Sequence, residues 1–213
     1  MSEIIHLAPG QALEAATLRR IADAAKACKI IAFPTDTVYG IGSTGLIKAA
    51  TRRMYQIKAR SALKPLPILV PSAEEARRWV IWTPAAEALA RRFWPGGLTL
   101  VPKTTAEGKL LTFPEYTTLA IRAPNHPVAL SLLEASGIPW AVTSANISGR
   151  PALIDGKSVA EQLGGLLDYV IDSGPVAGTE STVVDATATP VRILRQGSIT
   201  AEMILDAVGQ ATT

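Results

Sequence analysis

Residues 30–42 read IIAFPTDTVYGIG. IIAFP is short and rich in β-formers, and Pro34 has no amide proton to give to a ladder, so the stretch predicts a buried strand over 30–34. Directly behind it, PTDTVYGIG at 34–42 supplies two hydroxyls, a carboxylate, a phenol and two glycines. In open α/β sheets, ligands bind in the crevice beyond the strand ends, so polar groups placed there are candidates for a site. Thr35 or Thr37 would hold a polar substrate, with glycine letting backbone N–H groups come close. The plainer alternative is a turn capped by Asp36, with Tyr39 packed inward.

On either side the pattern turns helical. Leu18, Ile21, Ala25 and Cys28 recur at helical spacing and predict an amphipathic helix over 11–28. Leu46, Ala50, Met54 and Ile57 do the same for 46–58, with Lys48 and Arg52 on another face. PLPILVP at 65–71 reads as the next strand. Thr83 as N-cap and Pro84 in the first turn open a helix through Phe93, after which Pro95, Gly96 and Gly97 turn the chain into LTLVP. The second half continues with strand TLAIRAP at 118–124, a helix from Pro127 to Gly137 preceded by His126 as a local cap, and strand PWAVT at 139–143. Ser158 and Glu161 match a capping box for a further helix. YVID, STVVD and VRILR then read as short strands, and Thr200 starts a last helix. This alternation predicts an α/β fold, a mixed or mostly parallel open sheet flanked by helices, with one domain over 1–213.

Composition narrows the function. Of 213 residues 48% are hydrophobic and 18% charged, which permits a large core and does not resemble disorder. No apolar run reaches the ~18 residues of a membrane helix and no leader pattern opens the chain, so a cytoplasmic location without a membrane is expected. One cysteine, Cys28, and two histidines, His6 and His126, offer no zinc-ligand cluster, and no metal-binding residues are assigned. Between Asp36 and Glu74 the chain carries Lys48, Arg52, Arg53, Lys58, Arg60 and Lys64 and no acid. Such a stretch attracts anions. Lys48, Arg52 and Arg53 read as a solvated helix face, whereas Lys58, Arg60 and Lys64 enter a proline-punctuated loop ahead of a strand. If that loop is extended, Lys58 and Arg60, two apart, project to one side and converge on a polyphosphate.

Two further clusters follow strands. TSANISGRP at 143–151 places Thr143, Ser144, Asn146 and Ser148 at a strand end, a dense set of donors for an anion. In SGPVAGTESTVVD and VRILRQGS, Ser181 opens one strand and Arg195 closes another, so both can face a shared cleft. GxxxxGK[ST] and a compelling Ser/His/Asp set are missing from the sequence. A nucleotide would need an unusual cradle.

PTDTVYGIG, KARSALKPLP, WPGGLTLV, TLAIRAP, TSANISGRP, STVVD and LRQGS occur in this order over residues 30–198, and in them the chain resembles the YrdC family of threonylcarbamoyl-AMP synthases. The resemblance implies a twisted open mixed sheet with a large basic cavity. It also implies synthesis of threonylcarbamoyl-AMP and pyrophosphate from L-threonine, bicarbonate and ATP, with Mg²⁺ held mainly by phosphates. The catalytic core carries over to Lys58, Arg60, Ser144 and Asn146. Thr35, Arg122 and Ser181 would bind threonine, and Thr118 and Arg195, with the core, would bind ATP. Partner proteins would transfer the group to adenosine beside the tRNA anticodon, with a possible tRNA contact here. Related domains in the hydrogenase maturation protein HypF make carbamoyl transfer an alternative, although the zinc-binding cysteine motifs that accompany them there are missing from this sequence. An RNA-binding module is a second alternative, weakened because aromatics are only 5% of residues and Tyr55 is alone among 46–64.

Overall fold

The computed structural model describes residues 2–59, 65–188 and 190–209. In chain order its elements are β1 (Glu3–His6), α1 (Ala15–Lys26), β2 (Ile31–Phe33), β3 (Gly40–Thr44), α2 (Lys48–Ile57), β4 (Ile68–Leu69), α3 (Ala73–Ala76), β5 (Val80–Ile81), α4 (Pro84–Phe93), β6 (Leu98–Val101) and β7 (Lys103–Thr104). There follow β8 (Ile121–Arg122), α5 (Pro127–Ser136), β9 (Trp140–Ser144), α6 (Gly156–Leu163), β10 (Tyr169–Asp172), β11 (Thr182–Asp185), β12 (Arg192–Arg195) and α7 (Ala201–Gly209). Ten strands form one mixed sheet in the order β1-β10-β2-β3-β9-β4-β8-β6-β11-β12, and β5 pairs with β7 apart from it.

Helix boundaries follow the local chemistry. Thr83 Oγ1 accepts from Ala86 N ahead of Pro84, as its spacing predicts, and His126 Nδ1 accepts from Val128 N at the start of α5. At α6 the expected capping box is corrected. Asp155 is the N-cap, and its carboxylate takes both the backbone N–H and the hydroxyl of Ser158. Ionised Asp outcompetes Ser at a helix start because it accepts two bonds and carries the charge that the helix N-terminus favours.

Side-chain parity splits the core into layers. On one sheet face Ile31, Phe33, Leu69, Trp140, Val142 and Ile171 pack on Ile21 and Ala25 of α1 and on Val128, Ala129, Leu132 and Leu133 of α5. On the other face Ala32, Ile41, Ile68, Ala141 and Val170 pack on Met54 of α2 and Val159 of α6. This second layer continues toward β12, where Leu98, Leu100 and Val184 meet Leu89 of α4 and Ile204 of α7. The first layer does not continue: no residue of β8, β6 or β11 joins the α1/α5 cluster among the described residues. Beyond β4, then, the α1/α5 face of the sheet is left uncovered.

Several strands differ from their sequence boundaries. Residues 65–71 and 118–124 narrow to Ile68–Leu69 and Ile121–Arg122, while the end of the 34–42 segment, read as a binding segment or a turn, belongs to the five-residue strand GIGST. Its Gly40 and Gly42 lie under Val142 and Phe33: a Cβ on Gly42 would stand 2.8 Å from Val142 Cγ2 and 3.1 Å from Phe33 Cε1. Glycine lowers β-propensity but admits the neighbouring strand's bulk, and packing decides here.

Candidate active site

The uncovered face holds a cavity of about 320 Å³. Register explains its lining. Gly40 pairs with Ser144, Leu69 with Arg122, Thr99 with Val183, and Val183 with Arg195, so these side chains share one side of the sheet. The 34–38 loop closes one wall with Thr35 and Thr37, and the segment before β11 closes another with Glu180 and Ser181.

Arg122 is 6% exposed and is held from three directions. Its Nε donates to Gly96 O at 2.8 Å, Nη1 to Thr37 Oγ1 at 3.0 Å and Nη2 to Asp36 Oδ1 at 2.5 Å. Burial pushes its pKa down, the Asp36 carboxylate opposes this, and Arg195 lowers it further. Two cations thus act on the same space. Thr35, also buried, donates to Val38 O at 2.7 Å and shares a hydroxyl contact with Thr37 at 3.0 Å. Tyr39 is pinned through its hydroxyl, which donates to Gly174 O and accepts from Ser173 N, and burial raises its pKa.

Ser181 and Arg195 meet, as their strand-end positions predict. Arg195 Nε and Nη2 both donate to Ser181 O, Nη2 lies 3.1 Å from Ser181 Oγ, and Nη1 pairs with Glu180 at 2.8 Å. Ser181 Oγ also contacts Thr99 Oγ1 at 2.9 Å.

Lys58 caps α2 and is 3% exposed. Its ammonium reaches the end of β9, donating to Ser144 O at 2.7 Å, Ser144 Oγ at 3.3 Å and Asn146 Oδ1 at 2.5 Å. Ser144 lines the cavity, so this cation stands one hydrogen bond behind its wall. The extended geometry expected from Lys58 onward is corrected: Lys58 is αR, and Ala59 has φ 47°, a left-handed turn. Arg60 and Lys64 lie outside the described residues. Thr118 bridges to Lys103 and is not among the residues lining the cavity.

Not all of the basic helix face is simply solvated. Arg53 pairs with Asp168 at 2.5 Å, and Lys48 donates to Leu110 O and Thr112 O. Thr99, Glu180 and the Arg122–Asp36 pair join the site only in the folded structure. Thr99 had a signal, a hydroxyl residue alternating with Leu98 and Leu100 in an apolar strand. Among the described residues no group of three or more His, Cys, Asp or Glu can hold a metal ion, and no helix is long and apolar enough to cross a membrane.

The family model Sua5/YciO/YrdC, described as telomere recombination, matches residues 23–197. The chain is 42% identical over 185 residues to the threonylcarbamoyl-AMP synthase of Pyrococcus abyssi, covering 85% of this chain and 54% of that protein. Against the threonylcarbamoyl-AMP synthase of Bacillus subtilis it is 36% identical, covering 85% and 53%. The crystal structure of P. abyssi Sua5 complexed with L-threonine superposes with a TM-score of 0.90 at 38% identity, over 98% of this chain and 61% of that one. The chain therefore spans about half the length of these two curated relatives. The matched region runs from within α1 to just past β12, so it contains every described wall of the cavity, and the chain belongs to the Sua5/YciO/YrdC family.

Proposed function

We propose that the chain is an L-threonylcarbamoyladenylate synthase, making threonylcarbamoyl-AMP and pyrophosphate from L-threonine, bicarbonate and ATP. The observation that carries this reading is the convergence of three cations on one uncovered sheet face: Arg122 and Arg195 in the cavity and Lys58 behind Ser144. It is supported by relatives named for this reaction and by a relative's structure complexed with L-threonine. The basic character expected of the cavity rests on these residues.

The chemistry brings anions together. The threonine amine attacks the carbon of bicarbonate, water leaves, and an N-carboxylate results. A carboxylate oxygen then attacks the α-phosphorus of ATP, the bond to the bridging oxygen of the β-phosphate breaks, and pyrophosphate departs with that electron pair. Arg122 would take the threonine carboxylate through a planar fork that an ammonium cannot offer. Thr35 and Ser181 would bind the rest of the amino acid. Lys58, Arg60, Ser144 and Asn146, with Thr118 and Arg195, would hold the nucleotide and offset charge on the leaving group by preorganised electrostatics. Mg²⁺ would enter with the triphosphate as part of the substrate, coordinated by phosphate oxygens and water, which suits a cavity whose lining residues include one carboxylate, Glu180.

The product is a mixed anhydride. In this reading it passes to partner proteins that modify adenosine beside the tRNA anticodon in the cytoplasm. The test is pyrophosphate release with each substrate omitted in turn. Release that requires ATP, threonine and bicarbonate together supports the reading, and salt-sensitive RNA binding without turnover contradicts it.

A further inference from the structure

We infer that Asp36 is a positioning residue that holds Arg122 ready for the amino-acid carboxylate; the inference rests on the proposed function. Arg122 has five N–H donors. Gly96 O, Thr37 Oγ1 and Asp36 Oδ1 take one each, from Nε, Nη1 and Nη2, which leaves one N–H on each terminal nitrogen for a ligand. Two of these three acceptors are neutral. Asp36 supplies the one acidic partner that Arg122 has among the described residues.

The placement divides the labour. Arg122 lines the cavity and Asp36 does not, so the carboxylate works from behind and leaves the substrate side open. The same Oδ1 accepts from Asn125 N at 2.9 Å, which ties the loop after β2 to the segment after β8. Asp36 therefore fixes both the plane of the guanidinium and the junction that carries it. It also keeps a deeply buried cation favourable, because an unpaired buried charge is strongly disfavoured. The contrast with Arg195 is informative. Its pair with Glu180 leaves the two side chains 45% and 43% exposed, where water screens the attraction and Ser181 already fixes the arginine.

The test compares the two substrates. Asp36→Asn keeps an oxygen acceptor of the same shape and removes the charge. The KM for L-threonine should rise by about ten-fold or more, as expected when one partner of a buried charge pair is neutralised. The KM for ATP should stay within about two-fold. In an Arg122→Gln background the same change should leave threonine KM almost unmoved, because no cation remains to be held. Equal rises in both KM values, no rise for threonine, or full additivity in the double variant would each overturn the inference. If Asp36→Asn does not fold, Asp36→Glu decides: its carboxylate sits one methylene further out, and a rise confined to threonine KM supports the inference, whereas no rise or a rise for both substrates overturns it. Wild-type chain with no threonine-dependent pyrophosphate release overturns the proposed function itself, and that result is read before any variant is made.

Discussion

Replacing Lys58 with alanine removes an ammonium that is 3% exposed and bonded to Ser144 O, Ser144 Oγ and Asn146 Oδ1 at 2.7, 3.3 and 2.5 Å. Hydrogen bonds from a charged donor contribute roughly 1.5–3 kcal/mol each. Two of these are short, and the vacated space adjoins a cavity from which water can enter, so a net cost of about 2–4 kcal/mol follows. A domain of this size loses roughly 2–4 °C in Tm per kcal/mol, giving a drop of about 4–16 °C. Typical domains hold about 5–15 kcal/mol in total, so the variant should remain folded at 25 °C. Its turnover should fall by about 10² to 10³, the range for removing one preorganised donor from developing negative charge. Thermal melting and coupled pyrophosphate release on the same preparation separate the two effects. A folded Lys58→Ala protein with near-wild-type turnover would refute the electrostatic role.

Three predictions concern the scaffold. Cys28 sits just past α1 with φ 64°, while its N–H bonds Ala25 O and the N–H of Lys29 bonds Ala24 O, a helix ending that favours glycine. Cys28→Gly should therefore stabilise by about 1 kcal/mol and raise Tm by about 2–4 °C, and an unchanged or lower Tm counts against the strain. Gly42→Ala would press a methyl against Val142, Phe33 and Ala141 O and should cost about 1–3 kcal/mol in urea denaturation, so a neutral result would mean the strands part easily. Burial raises the pKa of Asp168, but the Ile30 N–H, Arg53 and Lys29 outweigh it and hold the carboxyl below its usual range. A folded-state pKa below the unfolded one gives stability that is full above the unfolded value of about 4 and is lost as pH falls through the depressed one. Asp168→Asn should thus flatten the acid limb of stability against pH, and an unchanged slope would argue against it.

The helices were largely legible because their signals are local: Thr83 with Pro84, Gly137 after α5, and the four-residue spacing along α1. β3 was hidden because two of its five residues are glycine, chosen to fit under Val142 and Phe33, which lie elsewhere in the chain. Ser144, Ser181 and Arg195 could be picked out because polar residues at the ends of apolar strands are conspicuous, whereas Arg122 was reached only through the resemblance to the YrdC family. That Arg122, Thr99 and Arg195 share a face depends in part on register between strands far apart in sequence, β4 with β8 and β6 with β11, and the sequence does not encode that register in any short window. The Asp36–Arg122 pair is hidden for the same reason, since 86 residues separate its members. Asp155 was overlooked as a cap because Ser158 and Glu161 matched a known pattern three residues too late.

The proposed reaction joins three reactants into one adenylate on one sheet face. Incubating the chain with ATP, L-threonine and ¹³C-bicarbonate and analysing the nucleotides by mass spectrometry tests it directly. An AMP conjugate that carries both the label and threonine should form in step with pyrophosphate. Pyrophosphate release without threonine, or ATP cleavage with no label in any AMP-linked product, would contradict it.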